Sequence, residues 1–328
     1  MPIDYRLVYP ADAVERALPA HWRPEASDPR EDGYAARVER ACANAGVQRQ
    51  PIVAAARVAV LRMAKRHGAL GTDHHAYHNQ DHLLDLLEDK LPRLLAAAPL
   101  PTLEREALVL FCACHDLRQR EARRHDQEPI GPNEAASLAE AERLLDALSV
   151  ASDELRTLLR FAILGSTFAA GTDDHGQPQG AFAHRLAAWL DGAQPGWRGN
   201  ALAAEAEHLA RMAADIDTSN VASAYPDFAQ SAVALASELH YRAGRGLDSP
   251  EAGASCLDFL TDGQERYVFG LQRFASREGR AAFGSRRDAN AARVRETSRR
   301  LRERFADGGA TSGHAVIAAF REIAAASP

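Results

Sequence analysis

Two stretches of this 328-residue chain hold side chains that can bind a metal ion or move a proton. The first is Leu-Val-Leu-Phe-Cys-Ala-Cys-His-Asp, residues 108–116, an apolar run that ends in His115 and Asp116. A helix with no polar face has to be packed on every side by others, so it carries this pair into the interior. A buried carboxylate is costly unless something compensates it, either the neighbouring imidazole or a metal ion. The second stretch, residues 73–84, is the most histidine-dense of the chain and contains His74, His75, His78 and His82. His78 and His82 are four apart, which on a helix sets one a turn above the other, facing the same small volume. His74 and His75 read as a surface cluster. Imidazole nitrogen together with carboxylate oxygen suits Zn, Fe, Mn or Co, and a carboxylate able to bridge admits a second, more weakly held Mg or Mn.

The elements that must position these groups are helices. Alanine is abundant and β-branched clusters are few, which favours helix over strand. Residues 1–50 carry Pro2, Pro10, Pro19, Pro24 and Pro29 among charges, with a helix near 34–45, and read as an extension packed on a core. A first long helix is expected over 51–66, broken by Gly68, Gly71 and Thr72, and the helix carrying His82 should run on to Pro92. After the His-Asp helix, the polar segment 118–132 includes a second pair, His125-Asp126, which reads as a solvated loop. Asn133 can cap a helix that buries Leu138, Ala141, Leu144 and Leu145. Further helices are expected over 152–164, 201–217, 228–242 and 314–326, with a Gly- and Pro-rich surface insertion over 169–200. Eight arginines fall within 286–304, yet Val294, Leu301 and Phe305 keep an apolar stripe, the pattern of a solvated amphipathic helix. This divides the chain into an N-terminal extension (1–50), a main domain (51–305) and a C-terminal helix (306–328).

Composition narrows the classes. A net charge of -6 and a pI near 6.1 argue against a general nucleic-acid or anionic-membrane binder. The four cysteines form no Cys-x-x-Cys pair and two lie in the apolar helix, as small buried residues of a reducing compartment. No apolar run approaches the roughly 20 residues that span a bilayer, and the first residues lack a signal pattern, so a cytoplasmic location is expected.

Tyr77-His78-Asn79-x-x-His82, followed by His115-Asp116 on the next apolar helix, resembles the HD superfamily of metal-dependent phosphohydrolases. More narrowly it is similar to class I cyclic nucleotide phosphodiesterases and to the bacterial predicted phosphohydrolases like them. Over roughly residues 50–305 the resemblance implies an all-α, HD/PDEase-type helical bundle with a first His, a His-Asp pair and a distant Asp. Ala214 to Asn220 supplies that Asp, with Asp217-Thr218-Ser219-Asn220 matching Asp-x-Ser-Asn. Asp215 is the competing choice. On a helix whose buried direction is set by Leu209, Met212, Ala213 and Ile216, Asp217 falls about 80° from Leu209 and Asp215 about 120° away on the other flank.

By resemblance, His82, His115, Asp116 and Asp217 hold the tight ion and Asp116 bridges to the second. Two such ions can share a hydroxide that attacks phosphorus while they neutralise the phosphoryl oxygens. His78 is then the general acid for the leaving oxygen, a task suited to an imidazole. Glu134 of Asn133-Glu134-x-x-Ser137 is either part of a capped first turn or holds metal-bound water. Asn79 and Asn220 are candidate substrate contacts, and Gln264 or Gln272 takes the place of a glutamine that binds a purine edge. The expected substrate is a small phosphoester: a phosphodiester, a cyclic nucleotide or a nucleotide-like compound. The chain departs from the phosphodiesterase pattern at Gln119, where those enzymes carry a His, and has no His over 166–168. Two alternatives stay open: a di-iron oxygenase of the same superfamily, for which His125, His175, His184 and His208 are the available extra histidines, and a non-catalytic helical binding module.

Overall fold

The computed structural model describes residues 29–71, 75–119, 130–169 and 180–326. Among these the chain is all-α, and its extended pairing is one antiparallel bridge between Phe168 and Ala181. It divides into two compact units. The first takes the described residues of 1–169 with Ala181–Asp217 and Phe274–Ala282. In chain order its helices are α1 (Pro29–Asn44), α2 (Gln50–His67), α3 (Gln80–Asp85), α4 (Leu91–Ala97), α5 (Thr102–Cys114), α6 (Pro132–Ala147), α7 (Asp153–Ser166), α8 (Leu186–Ala193) and α9 (Ala201–Asp217).

The apolar run predicted to lie inside does so. Every residue of α5 from Ala107 to Cys114 is at most 1% exposed, and α2, α7 and α9 pack around it. The approach of α7 to α9 depends on Gly165, since a Cβ there would stand 2.9 Å from the Cβ of Ala210. Pro92 does not end its helix, as a missing N–H predicts. The preceding turn widens to π geometry over Leu86–Lys90, the Leu91 amide donates to the Leu86 carbonyl five residues back, and α4 restarts with Pro92 in its first turn.

The histidine-rich segment differs from the sequence expectation in two respects. The helix begins at Gln80, so His78 lies ahead of it and is not stacked one turn from His82. The cause is the cap. Asn79 accepts from the Asp81 amide at 2.9 Å through its side-chain oxygen and donates to the His75 carbonyl at 2.7 Å through its nitrogen, which holds an extended backbone at Asn79. His75 is not on the surface: it is 1% exposed and its ring stacks on His67 at 4.1 Å, where the His75 amide donates to the His67 carbonyl. His74 and the His125-Asp126 pair lie outside the described residues. The cap expected from Asn133 is absent as well, because Gly131 occupies that position and makes no side-chain bond.

The second unit takes the described residues of Ala170–Gly180, Thr218–Arg273 and Phe283–Pro328. It contains α10 (Tyr225–Arg242), α11 (Pro250–Asp258), α12 (Gln264–Arg266), the part of α13 (Arg277–Arg304) from Phe283 onward, and α14 (Gly313–Ala325). Helix α14 packs on α10 and α11. Several arginines of α13 are matched locally. Arg299 binds Glu296 and Glu303 at 2.7 and 2.5 Å, Arg302 binds Glu265 at 2.9 Å and also Asp262, and Arg304 binds Glu322 at 3.1 Å. Arg293 and Arg295 lie over the rings of Tyr225 and Phe269. With Val294 and Leu301 buried, this is the amphipathic helix that the pattern predicts.

In the first unit a charged cluster is buried as completely as the apolar core. Glu140 of α6 lies 2.8 Å from Arg62 and 3.1 Å from Arg66, both on α2, and 3.6 Å from Arg118. Arg66 also donates to the Leu117 carbonyl, and the Arg118 amide donates to Ser137 Oγ at 3.0 Å. The turn that follows Asp116 is thereby tied to α2 and α6. Burial raises the Glu140 carboxyl, but Arg66 and Arg62 outweigh it and hold it below the ordinary glutamate range. Burial lowers the Arg62 guanidinium in spite of Glu140, so the cluster tolerates no missing partner.

Glu140→Gln keeps the volume and removes the shared carboxylate, and should cost about 3–5 kcal/mol of unfolding free energy in urea titrations at pH 7. A loss under about 1 kcal/mol would show that the cluster is not the anchor described. Because the folded-state value lies below the unfolded one, the wild-type advantage should be full above the usual glutamate range and disappear as pH falls below it.

Candidate metal centre

Helix α5 stops at Cys114, His115 is its C-cap, and Asp116 follows in the turn. His115 Nδ1 faces the Phe111 carbonyl at 3.2 Å; with the proton on that nitrogen, the lone pair of Nε2 is free for a cation. Helix α3 brings His82 alongside, and Asp217 is the last residue of α9. One ligand atom from each of His82, His115 and Asp217 lies within 4.8 Å of the other two. Asp116 Oδ2 is 3.5 Å from His82 Nε2 and 3.3 Å from His115 Nε2, and Asp217 Oδ1 repeats both distances. Both Nε2 atoms are buried, and neither makes a hydrogen bond. Two unbonded nitrogens set against two carboxylates fit a divalent ion that accepts nitrogen and oxygen.

The charges of the cluster depend on one another. Burial alone would lower the His115 imidazole, but Asp116 and Asp217 hold it well above its ordinary value. Burial would raise both carboxyls, yet His115 keeps Asp116 far below the carboxylate range and brings Asp217 down to about 2. The two carboxylates thus favour positive charge at the imidazoles, the kind of charge that a bound divalent ion would also supply.

His78 stands beside the group. Its ring centre is 6.3 Å from that of His82, Tyr77 meets it edge-on at 4.9 Å, and its charge acts on Asp116. Glu134, in the first turn of α6, has its carboxyl raised by burial and then by the charges of Asp116 and Asp217. The Asn79 amide is committed to the backbone at both ends. Asn220, Gln264 and Gln272 belong to the second unit: Asn220 donates to Ser231 Oγ at 3.5 Å, Gln264 is buried between the π turns Phe259–Gly263 and Tyr267–Leu271, and Gln272 accepts from Arg287 at 3.3 Å. Gln119, read from the sequence only as a departure, donates to Asp116 Oδ1 at 3.1 Å. Its spacing of three from Asp116 was the available signal. His184 and His208 are exposed and outside the ligand group, and His125 and His175 lie outside the described residues.

Asp215 is directed elsewhere. Its carboxylate accepts from the amides of Ala275 and Ser276 at 2.6 and 2.8 Å and from Ser276 Oγ at 2.5 Å. Burial lifts its carboxyl to about 7 against those bonds. Ser276 Oγ in turn accepts from the Gly279 amide, so Asp215 secures the start of α13.

The structure aligns with the phosphodiesterase domain of the rhodopsin phosphodiesterase of Salpingoeca rosetta at a TM-score of 0.57 and 13% identity, covering 92% of this chain and 99% of that one. The chain has a phosphodiesterase-like fold. A second structure, of the phosphodiesterase domain of the RhoPDE fusion protein from the same choanoflagellate, aligns at a TM-score of 0.54 and 14% identity over 89% of this chain and all of that one. No family model and no curated protein matches the sequence. At such identity the likeness is one of fold, and the phosphodiesterase-like helices set His82, His115 and Asp217 in reach of one ion.

Asp217→Asn should abolish tight metal binding, while Asp215→Asn should keep it and lose about 1–3 kcal/mol of stability through its buried bonds. Bound metal per chain, measured with thermal melts on both variants, decides between them. Metal kept by the Asp217 variant and lost by the Asp215 variant would reverse the assignment.

Proposed function

We propose that this protein is an HD-type metal-dependent phosphohydrolase acting on a small phosphoester: a phosphodiester, a cyclic nucleotide or a nucleotide-like compound. The reading is carried by the two buried, unbonded Nε2 atoms of His82 and His115 set against Asp116 and Asp217. The phosphodiesterase-like fold supports it. His82, His115, Asp116 and Asp217 would hold a tight ion, Zn, Fe, Mn or Co, and Asp116 would be shared with a second, Mg or Mn. When bound, such ions activate water near neutral pH and neutralise phosphoryl oxygens.

The other tasks fall to side chains. His78 gives the proton of its imidazole to the leaving oxygen. Its place on the capped loop ahead of α3 sets it beside the cluster without making it part of the ligand group. Glu134, whose carboxyl is raised among the two aspartates, orients the attacking water. Asn220 and Gln264 or Gln272 are the proposed substrate contacts, and Asn79 serves by holding the loop of His78.

Metal analysis of the protein as purified, followed by a screen of phosphomonoesters, phosphodiesters and cyclic nucleotides, tests the reading. Absence of metal and of hydrolysis would leave a helical binding module. His78→Ala should keep the metal and lose about 100-fold or more in rate, with a smaller loss on p-nitrophenyl esters, whose leaving group needs no proton. Equal losses on both substrate types would move His78 from proton transfer to structure.

A further inference from the structure

We propose that Gln119, oriented by Asn133, is a positioning residue that fixes which oxygen of Asp116 is presented to a metal ion; this rests on the metal reading above. Asp116 lies in the turn beyond α5, where helix packing no longer holds its side chain. Its two oxygens are nevertheless differently engaged. Oδ2 faces the Nε2 atoms of His82 and His115 at 3.5 and 3.3 Å, while Oδ1 accepts from Gln119 Nε2 at 3.1 Å. A glutamine amide can in principle turn either end toward a carboxylate, and only its nitrogen can donate. Asp116, which can only accept, makes the choice, and Asn133 holds it, because its side-chain nitrogen donates to Gln119 Oε1 at 3.3 Å. The flipped amide would set oxygen against the carboxylate and nitrogen against nitrogen, losing both bonds.

The first turn of α6 therefore acts on the cluster through two successive hydrogen bonds, Asn133 to Gln119 and Gln119 to Asp116. Gln119 is 5% exposed, so water competes little for either. A carboxylate with one oxygen pinned offers the other to a cation without first losing rotational freedom. The amide does this without adding charge, so the ion faces the same ligand charge as it would without Gln119. Within this relay Asn133 acts on Asp116 through Gln119, and that dependence separates positioning from packing.

The test is Mn2+ affinity by calorimetry on metal-stripped wild type, Gln119→Leu, Asn133→Ala and the double variant, with thermal melts of each. Gln119→Leu should bind Mn2+ about 10–100-fold more weakly, the usual loss for a residue supporting a ligand. Asn133→Ala should cost less and should add nothing in the Gln119→Leu background. Affinity unchanged in a folded Gln119→Leu protein overturns the proposal, and so do losses that add. If Gln119→Leu does not fold, Asn133→Ala decides alone: weaker binding supports the relay and unchanged binding overturns it. Wild type that binds no Mn2+ removes the metal reading itself, which separates that failure from a failure of Gln119.

Discussion

The first unit is organised by the need to compensate charge that α5 carries inward. A helix buried on every face delivers His115 into the interior and Asp116 to a site where only 14% of its side chain stays exposed, and a carboxylate so far withdrawn from water is costly unless it is compensated. Two clusters meet the need on either side of one short turn. In one, Asp116 and Asp217 face two imidazoles; in the other, Glu140 faces three guanidinium groups. The second cluster is rich in positive charge and the first in negative. Residues 115–118 join them, because Arg66 donates to the Leu117 carbonyl and the Arg118 amide to Ser137. The Glu140 cluster thus fixes the backbone on which Asp116 sits, and its contribution is one of geometry as well as charge.

Much of this was legible in the residues. The apolar run 108–114 could only be a central helix, and the helix expected over 201–217 is matched by α9 at both ends. The angular argument placed Asp217 and Asp215 on opposite flanks, and both prove to be engaged, Asp217 with the imidazoles and Asp215 with the start of α13. What could not be read depended on partners distant in sequence or on local compensation. Asn79 is a residue type that caps helices, but a spacing of four between His78 and His82 gave no sign that the cap fell between them. Pro92 should stop a helix, and only the π turn before it lets the chain continue. His75 is held inside by its ring stack on His67 and by its amide bond to the His67 carbonyl at the end of α2, which no local rule for histidine anticipates. Gln119 looked like the loss of a histidine because its partner, Asn133, lies 14 residues further along the chain.

The ends of the helices add a bias toward a cation. His115 caps the C-terminus of α5 and Asp217 closes α9, so both residues stand at the negative ends of helix dipoles. Such ends ordinarily attract basic side chains. Helix α2 places Lys65, Arg66 and His67 in its last turn, whereas α5 and α9 have no basic residue in theirs. Each dipole contributes about 0.3–1 kcal/mol at an exposed end and up to about 2 when partly buried. That is small beside the ligand bonds of a tightly held ion, so the dipoles do not create the site. They bear instead on what else could neutralise the cluster: the last turns of α5 and α9 hold no lysine or arginine, so the groups set against Asp116 and Asp217 are the imidazoles of His82 and His115, which are neutral when they ligate a metal.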